Sequence, residues 1–506
     1  MGVTGRFAAA FAVIIGCGPA LAQDVALIAR EGGIVLSGKL QGYDGEYYRI
    51  ETAYGMLTVD GQGVICDGPA CPDLSAPRAV IRLVGEGGPG LTLLPPLFQA
   101  FADHRGLIYQ PISRTPYRAT ILDPETRKPL AEISFDSLPP EAAASALAEE
   151  TADLKLGFLT DADFASQALA TDALVAIVAP DNPTPEISTT DMAQVLSGAV
   201  QNWAEVGGPD MPIVLHALQP EVEMQMAIAS RLGAPMATAT LHPDQTALAE
   251  AVARDPFAIA ITGRASILPA RRIPLTDSCG FPLLPSTLAV KAEDYPLSLP
   301  VYLLSPQRRL PLMTREFLEF LRTPAAQSAI AATGYVDRSA TRQPMTADGL
   351  RLINAIQGAG EDVTLQDLQR LVDLMDGADR LSLTFRFEDG SSTLTATSQE
   401  NLADLALLIA SGQFRNERMV LAGFSDGSGA AAANLALSVE RAARVAQALT
   451  AAAPDLDPET LPAITGFGEA LPMACDETAI GRQLNRRVEL WLVPDFTAPP
   501  ATSQTP

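Results

Sequence analysis

The sequence predicts a multidomain protein of mixed α/β and α+β class, with a small N-terminal β unit and two larger units in which strands and helices alternate. A chain of 506 residues has room for about three domains of ~150 residues each. Its 47% hydrophobic and 19% charged residues are typical of a globular protein rather than a disordered one. Between residues 24 and 75 only β-like segments occur, whereas β-like and helix-like segments alternate after them.

The first 22 residues have the layout of a secretory signal peptide. A weakly basic start, Met1–Arg6, precedes the apolar run Phe7–Ile15 and a small-residue cleavage site at Ala20-Leu21-Ala22. We therefore expect an exported, periplasmic mature chain. One alternative is that these residues form a buried helix. A second alternative is lipoprotein anchoring through Cys17, because Ile14-Ile15-Gly16-Cys17 loosely resembles a lipobox. No later stretch reaches ~18 uninterrupted apolar residues, so we expect no transmembrane segment in the mature chain.

Residues 23–76 are predicted to form a small β domain. Tyr47–Thr52 and Met56–Val59 alternate in polarity, and glycine-containing turns separate the segments. About 50 residues bury little hydrophobic core, so we expect a disulfide between Cys66 and Cys71 to stabilise this small domain as a covalent cross-link. A metal knuckle is the alternative, but no second close pair of ligands accompanies the two cysteines. Whether Cys279 and Cys475 pair is left open.

Residues 77–345 alternate between short apolar strands and helix-like runs, which predicts an α/β unit. Residues 346–380 show only helical spacing of leucine and isoleucine, and they are interpreted as a helical connector. Residues 381–494 return to a mixed pattern. The Pro-, Thr- and Ser-rich segment 495–506 reads as a flexible tail.

Composition excludes several classes of function. The 35 Lys and Arg against 59 Asp and Glu give a net charge of −24, which argues against nucleic-acid binding and against attraction to an anionic membrane. Three scattered histidines, His104, His216 and His242, leave little for triad or metal chemistry. No zinc-protease motif or P-loop is present. We therefore expect a protein that is not an enzyme and uses no cofactor or metal.

A constellation near the C terminus carries opposite charges. The strand Met419–Ala422 leads into a glycine-rich loop that contains Asp426, and a helix then places Asn434 and Arg441 on one face. Asp426 could accept from an ammonium group, and Arg441 could bind a carboxylate through two hydrogen bonds. The alternative is that Asp426 caps the turn or helix and that Arg441 is merely solvated.

An ordered series of motifs resembles the OmpA-like peptidoglycan-binding domain over roughly 110 residues. The series is Gly423-Phe424-Ser425-Asp426, Asn434, Leu437-Ser438 with Arg441-Ala442, Gly466-Phe467-Gly468-Glu469 and Asn485-Arg486-Arg487-Val488. The resemblance implies a β/α domain at 381–494 that binds the diaminopimelate of cell-wall peptides. It assigns the ammonium group to Asp426 and the carboxylate to Arg441, with Asn434, Asn485 and Arg486 shaping the pocket.

A second resemblance covers about 260 residues of the middle unit. Asn182-Pro183, Leu196-Ser197-Gly198, Asn202-Trp203 with Gly207-Gly208, Tyr295-Pro296-Leu297 and Gly334-Tyr335-Val336 resemble the periplasmic phosphate-binding proteins of ABC transporters. The resemblance implies two α/β lobes that close on a solute by a hinge.

The loops expected to hold the solute depart from what a phosphate dianion requires. Helix N-termini with backbone N–H and hydroxyl donors suit phosphate. Glu86, Glu221 and Glu223 stand at such positions, where they would either repel the anion or lie on a solvated face. We therefore expect phosphate to bind weakly or not at all. The predicted solute-binding residues are Gly87, Gly88, Gly90, Thr92, Thr160 and Gln219.

The sequence thus favours a cell-wall-tethered, outer-membrane-associated periplasmic solute-binding protein. Its expected partners are peptidoglycan, a small anionic solute for which phosphate is doubtful, and an ABC transporter permease. The alternative is a structural or interaction protein of the envelope whose binding-protein domain no longer binds phosphate.

Overall fold

A computed structural model describes residues 25–29, 32–43, 46–68, 71, 78–233, 235–345, 349–357, 359, 363–388, 391 and 393–494. The predicted signal peptide and the predicted C-terminal tail lie outside the described residues. The mixed α/β and α+β class is confirmed. Among the described helices, none combines the length and apolar character needed to cross a bilayer.

The N-terminal unit is an antiparallel sheet in which the strands pair in the order β4-β3-β2-β1-β5. Its core contains Leu27, Tyr48 and Ile50. The Cys66–Cys71 disulfide is confirmed, with the two Cα atoms 5.8 Å apart, so neither cysteine is a thiolate ligand for a metal. The strands are β1 Val25–Ala29, β2 Val35–Tyr43, β3 Tyr47–Thr52, β4 Gly55–Asp60 and β5 Val64–Asp67.

The first lobe of the middle unit is a sheet whose strands pair in the order β19-β10-β6-β9-β8-β7. Phe98 and Phe101 on helix α1 pack against Phe317 on helix α7. Its elements are β6 Ala79–Gly85, α1 Gly87–His104, β7 Ile108–Arg114, β8 Tyr117–Leu122, β9 Pro129–Ser137, α2 Pro140–Ala148, β10 Leu154–Gly157, β19 Ser298–Ser305, α7 Leu312–Phe320 and α8 Pro324–Ala331.

The second lobe is built on parallel pairing of β13 with β14 and with β15. Trp203 is fully buried in it and donates from Nε1 to the Phe257 carbonyl at 3.2 Å. Its elements are β12 Ile187–Ser188, α3 Thr189–Ser197, β13 Val214–Leu218, α4 Glu223–Leu232, β14 Thr240–His242, α5 Gln245–Arg254, β15 Ala258–Gly263, β16 Arg271–Arg272, β17 Leu275–Thr276, β18 Pro282–Leu283 and α6 Thr287–Lys291.

One long strand, β11 (Ala165–Val178), joins the two lobes. Its first part pairs with β19 as far as Ala173, and its second part pairs with β15 from Leu174 onward. Asp172 lies next to this change of partner and is fully buried. The crossing strand is where a relative rotation of the lobes would bend the chain.

The C-terminal unit is a sheet with the strand order β20-β21-β24-β22-β23, covered on both faces by helices. Leu371 and Met375, on helix α10 of the predicted connector, pack with Trp491. That segment therefore adds a layer to the sheet. The elements are β20 Arg342–Pro344, α9 Gly349–Gln357, α10 Leu365–Met375, β21 Asp379–Arg386, α11 Ala396–Ala410, β22 Glu417–Gly423, α12 Ala431–Ala452, β23 Ala463–Gly466, α13 Ala479–Asn485 and β24 Arg487–Pro494.

The second lobe and the C-terminal unit are covalently joined. Cys279 and Cys475 form a disulfide across 196 residues of chain, which answers the question that the sequence left open. The Cys475 amide also donates to an Asp277 carboxylate oxygen at 2.8 Å. Buried ion pairs between Asp294 and the guanidinium groups of Arg380 and Arg386, at 2.6 and 3.0 Å, lie in the same interface.

This second disulfide gives a direct chemical prediction. Digestion, without reductant, of the protein prepared under oxidising conditions is expected to release the peptides of Cys279 and Cys475 as one linked species, because such conditions preserve disulfide bonds. Reduction before digestion should separate the two peptides. Recovery of both thiols fully alkylated without reduction would contradict the pairing.

Candidate functional site

The glycine-rich loop after β22 is held close to helix α12. A Cβ on Gly423 would lie 1.9 Å from the Ser438 carbonyl oxygen, so only glycine allows the strand to approach the helix this closely. The buried Ser438 hydroxyl accepts a hydrogen bond from the Gly468 amide at 3.0 Å. The sequence around Gly423 and Gly468 therefore fixes where the loop leaves the sheet.

Asp426 lies on this loop between two arginines. Its Oδ2 accepts from Arg486 at 3.1 Å, and its Oδ1 accepts from the Ser428 amide at 3.0 Å. The second bond is the turn cap that the sequence offered as an alternative. The cap leaves the carboxylate able to accept another donor, because it has further lone pairs and its side chain stays 13% exposed.

Arg441 projects from α12 toward the same loop and donates to the Phe424 carbonyl at 3.2 Å. Burial lowers the pKa of Arg441, and the nearby Asp426 carboxylate acts in the opposite direction. The guanidinium group keeps further N–H donors beyond the bond to Phe424. The Asp426 carboxylate and the guanidinium groups of Arg441 and Arg486 therefore lie at one rim of the C-terminal unit.

The two asparagines that the sequence singled out lie below this rim. Asn485 is 1% exposed; its Oδ1 accepts from Met473 and Ala474, and its Nδ2 donates to Asp476 at 2.8 Å. Asn434 donates to Glu469 at 3.1 Å. They therefore hold neighbouring loops in place rather than presenting free polar atoms.

Sequence reasoning missed Asp476. Its second oxygen accepts from the Gly427 amide at 2.8 Å, next to Asp426 in the chain. Through Asn485 and Asp476 the position of the Asp426 loop is tied to helix α13. No local pattern around Asp476 indicated this role, since its partners lie elsewhere in the chain.

The cleft between the two lobes contains two glutamates at helix starts. Glu86 precedes α1, and its carboxylate accepts from the backbone amide of Glu223 at 3.0 Å. Glu223 begins α4 and is 1% exposed. Its Oε2 accepts from the Phe158 amide at 2.7 Å, and its Oε1 lies 3.5 Å from the Lys155 ammonium.

Burial controls how these glutamates titrate. Burial, the largest effect, and the negative charge of Glu223 together raise the pKa of Glu86 to about 7, although the hydrogen bond from the Glu223 amide acts in the opposite direction. Burial also raises the pKa of Glu223, opposed by the Phe158 amide and by Lys155. The third acidic residue that the sequence singled out, Glu221, is exposed.

The predicted glycines pack against protein rather than facing open space. A Cβ on Gly87 would lie 2.7 Å from the Ser137 hydroxyl, and one on Gly90 would lie 2.1 Å from the Phe135 ring. A Cβ on Gly88 would lie 2.7 Å from Nε2 of Gln245, which stands on the opposite lobe. These positions need glycine for close contact whether or not a solute binds.

The remaining predicted solute residues are more scattered. Thr92 is half-buried on α1. Gln219 lies between β13 and α4, where its backbone amide donates to the His242 carbonyl at 2.9 Å. Thr160 is exposed and lines a different cavity of about 610 Å³, which is shared with Glu400 and Gln483 of the C-terminal unit. The structure therefore does not bring all six together.

Several buried polar atoms near the cleft and hinge find no hydrogen-bond partner within the described residues. Burial raises the pKa of Asp172 to about 6. The pKa of Tyr335 is raised by burial and by the charges of Asp172 and Glu86. Asp172 begins the otherwise apolar run from 172 to 178, and this acidic residue was the sequence signal that could have pointed to the group. The atoms are Asp172 Oδ2, Tyr335 Oη, Thr262 Oγ1, Arg264 Nη1 and both side-chain amide atoms of Gln245.

Comparison with known families assigns both larger units. Residues 386–486 match the OmpA family, and residues 142–325 match the PBP superfamily domain. The chain carries an OmpA-family domain and a PBP-superfamily domain. Both are families of binding proteins rather than enzymes, and they indicate an envelope or periplasmic location.

The OmpA-family domain is similar to part of a curated protein. Outer membrane porin F of Pseudomonas fluorescens is 34% identical over 110 residues, which are 22% of this chain. The match spans only 32% of the length of that relative. The comparison therefore concerns this domain and not the whole chain.

The PBP-superfamily domain is similar to solved structures. A phosphate transport receptor of the ABC type from Vibrio cholerae aligns with a TM-score of 0.39 and 19% identity, over 50% of this chain and 99% of the receptor. A putative phosphate ABC transporter substrate-binding protein from Clostridium perfringens, with bound phosphate, aligns with a TM-score of 0.42 and 15% identity. The alignment covers 51% of this chain and 99% of that protein.

Proposed function

We propose that this protein is an envelope-associated binding protein that holds peptidoglycan through its OmpA-family domain. The observation that carries the proposal is the placement of Asp426 and Arg441 at one rim. A diaminopimelate side chain ends in a zwitterion, so its ammonium group would donate to Asp426 and its carboxylate would accept from Arg441. The predicted signal peptide, 1–22, supports export to the compartment where peptidoglycan lies.

The surrounding contacts prepare this site for its ligand. Arg486 holds Asp426 from one side, and the Asp476–Gly427 contact holds the loop from the other. A site ordered before binding loses less conformational entropy when the ligand arrives. Asn434 and Asn485 are therefore positioning residues in this proposal, whereas Asp426 and Arg441 contact the ligand.

Sedimentation with insoluble peptidoglycan tests the proposal. Asp426→Asn and Arg441→Gln are each expected to weaken binding by about 10–100-fold, since a hydrogen bond to a charged group contributes about 1.5–3 kcal/mol. Glu440→Gln, at an exposed position beside Arg441, is the matched control and should bind like the unchanged protein.

A second wall preparation separates the two roles. Lysine-type peptidoglycan lacks the side-chain carboxylate of diaminopimelate, so Arg441→Gln should affect its binding little while Asp426→Asn still weakens it. Circular dichroism checks that the variants stay folded. Equal sedimentation of the unchanged protein and both variants with diaminopimelate-type wall would overturn the assignment.

The role of the PBP-superfamily domain is a second proposal. Glu86 and Glu223 occupy backbone amides in the cleft, which supports the alternative in which this domain no longer binds phosphate. In that case the domains predicted at 23–76, 77–345 and 381–494 act together as an interaction protein of the envelope. An ABC transporter permease would be a partner only if a solute is bound.

A further inference from the structure

Two glutamates bridge the cleft of the PBP-superfamily domain in opposite directions. Glu86, from the first lobe, accepts from the Glu223 amide of the second lobe at 3.0 Å. Glu223 reaches back and accepts from the Phe158 amide of the first lobe at 2.7 Å. Each lobe therefore supplies one carboxylate and one backbone donor.

The lobes meet without space between them at these points. A Cβ on Gly157 of the first lobe would lie 2.1 Å from Glu223 Oε2, and a Cβ on Gly88 would lie 2.7 Å from Gln245 Nε2. Glu223 is 1% and Gln245 5% exposed. Glu86 thus occupies a donor at the N-terminus of α4, where an anionic ligand would otherwise lie, and Glu223 occupies the Phe158 amide in the loop after β10.

Contacts outside the cleft join each lobe to other parts of the molecule. The N-terminal sheet is joined to the first lobe by Glu46, whose carboxylate lies 2.8 Å from Arg315 and 3.2 Å from Arg309. The second lobe is joined to the OmpA-family domain by the Cys279–Cys475 disulfide. The OmpA-family domain also contacts the chain that leaves the first lobe after α8, where Arg338 pairs with Glu400 and Asp404 of α11.

We propose that Glu86 and Glu223 form a built-in latch that holds the two lobes closed without a solute. Release of the latch would rotate the two lobes relative to each other about β11. The closed state of the binding-protein fold is then encoded in the chain rather than induced by a solute.

The groups around Glu86 make the latch sensitive to pH. Glu223 on α4 and Tyr335, which follows α8, interact with Glu86. Lys155 on β10 pairs with Glu223, and Gln245 on α5 lies beside Gly88. Burial raises the pKa of Glu86 from 4.5 to about 7 in the closed state, so closure takes up a proton between these values. Stabilisation of the closed state by this group is complete below about pH 4.5 and is lost as the pH rises through about 7.

Distance measurements between spin labels on the full chain test the latch. Ser145 on α2 and Ser230 on α4 are exposed positions, one in each lobe, that accept labels after replacement by cysteine while the native disulfides stay oxidised. At pH 6, one unit below the pKa of Glu86, we expect a single narrow distance that millimolar inorganic phosphate does not change. At pH 8 a second, longer distance should gain population.

Two substitutions at Glu86 separate charge from hydrogen bonding. Glu86→Ala removes the acceptor, so the ratio of open to closed lobes should rise at least tenfold at pH 6. Glu86→Gln keeps an acceptor oxygen without the charge, so it should stay closed and lose the response to pH. Glu221→Ala, at an exposed position two residues before Glu223, is the matched control and should behave like the unchanged protein.

Two outcomes would overturn the latch. One is a distance distribution for Glu86→Ala that equals that of the unchanged protein at both pH values. The other is an unchanged protein that is open alone and closes when phosphate is added. If Glu86→Ala does not fold, Glu86→Gln still decides, because a latch without a titrating Glu86 cannot respond to pH between 6 and 8.

Discussion

Calorimetric titration of the full chain with inorganic phosphate at pH 8 is expected to show no binding in the micromolar range. At that pH Glu86, whose pKa is about 7, is ionised. Phosphate is then mainly a dianion. A like charge at ~4 Å costs about 4 kcal/mol at an effective dielectric constant of ~20, which corresponds to roughly a thousandfold loss of affinity.

The exclusion of phosphate should weaken on acidification. Below about pH 7 the Glu86 carboxyl is protonated and neutral, so it repels an anion less and offers an O–H donor. Any affinity for phosphate should therefore be higher at pH 6 than at pH 8. Glu86→Gln should raise the affinity at pH 8 and remove this contribution to the pH dependence.

Controls separate a local effect from the overall acidity of the chain. Glu221→Gln removes a nearby but exposed charge and should leave the titration unchanged. Comparison at low and high salt tests the same point, because exposed charges are screened by salt and buried ones much less. Sub-micromolar binding of phosphate by the unchanged protein at pH 8 would contradict the prediction.

Replacing Glu489 by glutamine is expected to destabilise the OmpA-family domain by about 3–5 kcal/mol. The reason is that removing the negative charge from a buried ion-pair network leaves its buried arginines without a compensating charge. Glu489 is fully buried on β24 and pairs with Arg351, with Arg487 at 2.7 Å and with Arg380 at 3.5 Å. These arginines hold the pKa of Glu489 well below its usual range against the effect of burial. Burial, in turn, lowers the pKa of Arg487 to about 10.

Hydrogen exchange read peptide by peptide is the suitable measurement, since a multidomain chain has no single unfolding free energy. Amides of β21 and β24 should exchange roughly two to four decades faster in Glu489→Gln. Glu440→Gln is the matched control, because its ion pair with Arg444 is exposed and contributes at most about 0.5 kcal/mol. Equal protection of both strands in Glu489→Gln and the unchanged protein would contradict the expected loss.

The depressed pKa of Glu489 also defines a pH window. A carboxyl group whose pKa is lower in the folded state stabilises the fold above its unfolded pKa, and this contribution is lost only as the pH falls through the folded value. Glu489 stays ionised through the mildly acidic range because its folded pKa is strongly depressed. Its contribution should therefore persist at the pH values where Glu86 has already become protonated.

Much of the fold could be predicted from local patterns. Alternating strands and helices predicted the α/β class, and the spacing of leucine and isoleucine predicted helices between residues 346 and 380. The five-residue separation of Cys66 and Cys71, with a turn between them, allowed the disulfide to be predicted. In each case the interacting residues are near neighbours in the chain, so spacing alone carries the information.

The candidate sites were only partly predictable. The ordered motifs from Gly423 to Arg487 located Asp426 and Arg441, because the family pattern records their separation. The roles of Asn485 and Asp476 as supports were not foreseen, since a motif does not tell whether a side chain faces a ligand or a neighbouring loop. Glu86 was expected to oppose phosphate, but its acceptance of the Glu223 amide was not predicted.

The sequence by itself determined the fold class, the two families and the acidic residues of the cleft, because periodicity, motif order and residue identity are local properties of the chain. Only the tertiary structure decided where those acids point and what they bind. Glu86 and Glu223 lie 137 residues apart, and Cys279 and Cys475 lie 196 apart. Contacts over such separations depend on how the lobes and domains pack, and packing sets which buried carboxylate meets which donor.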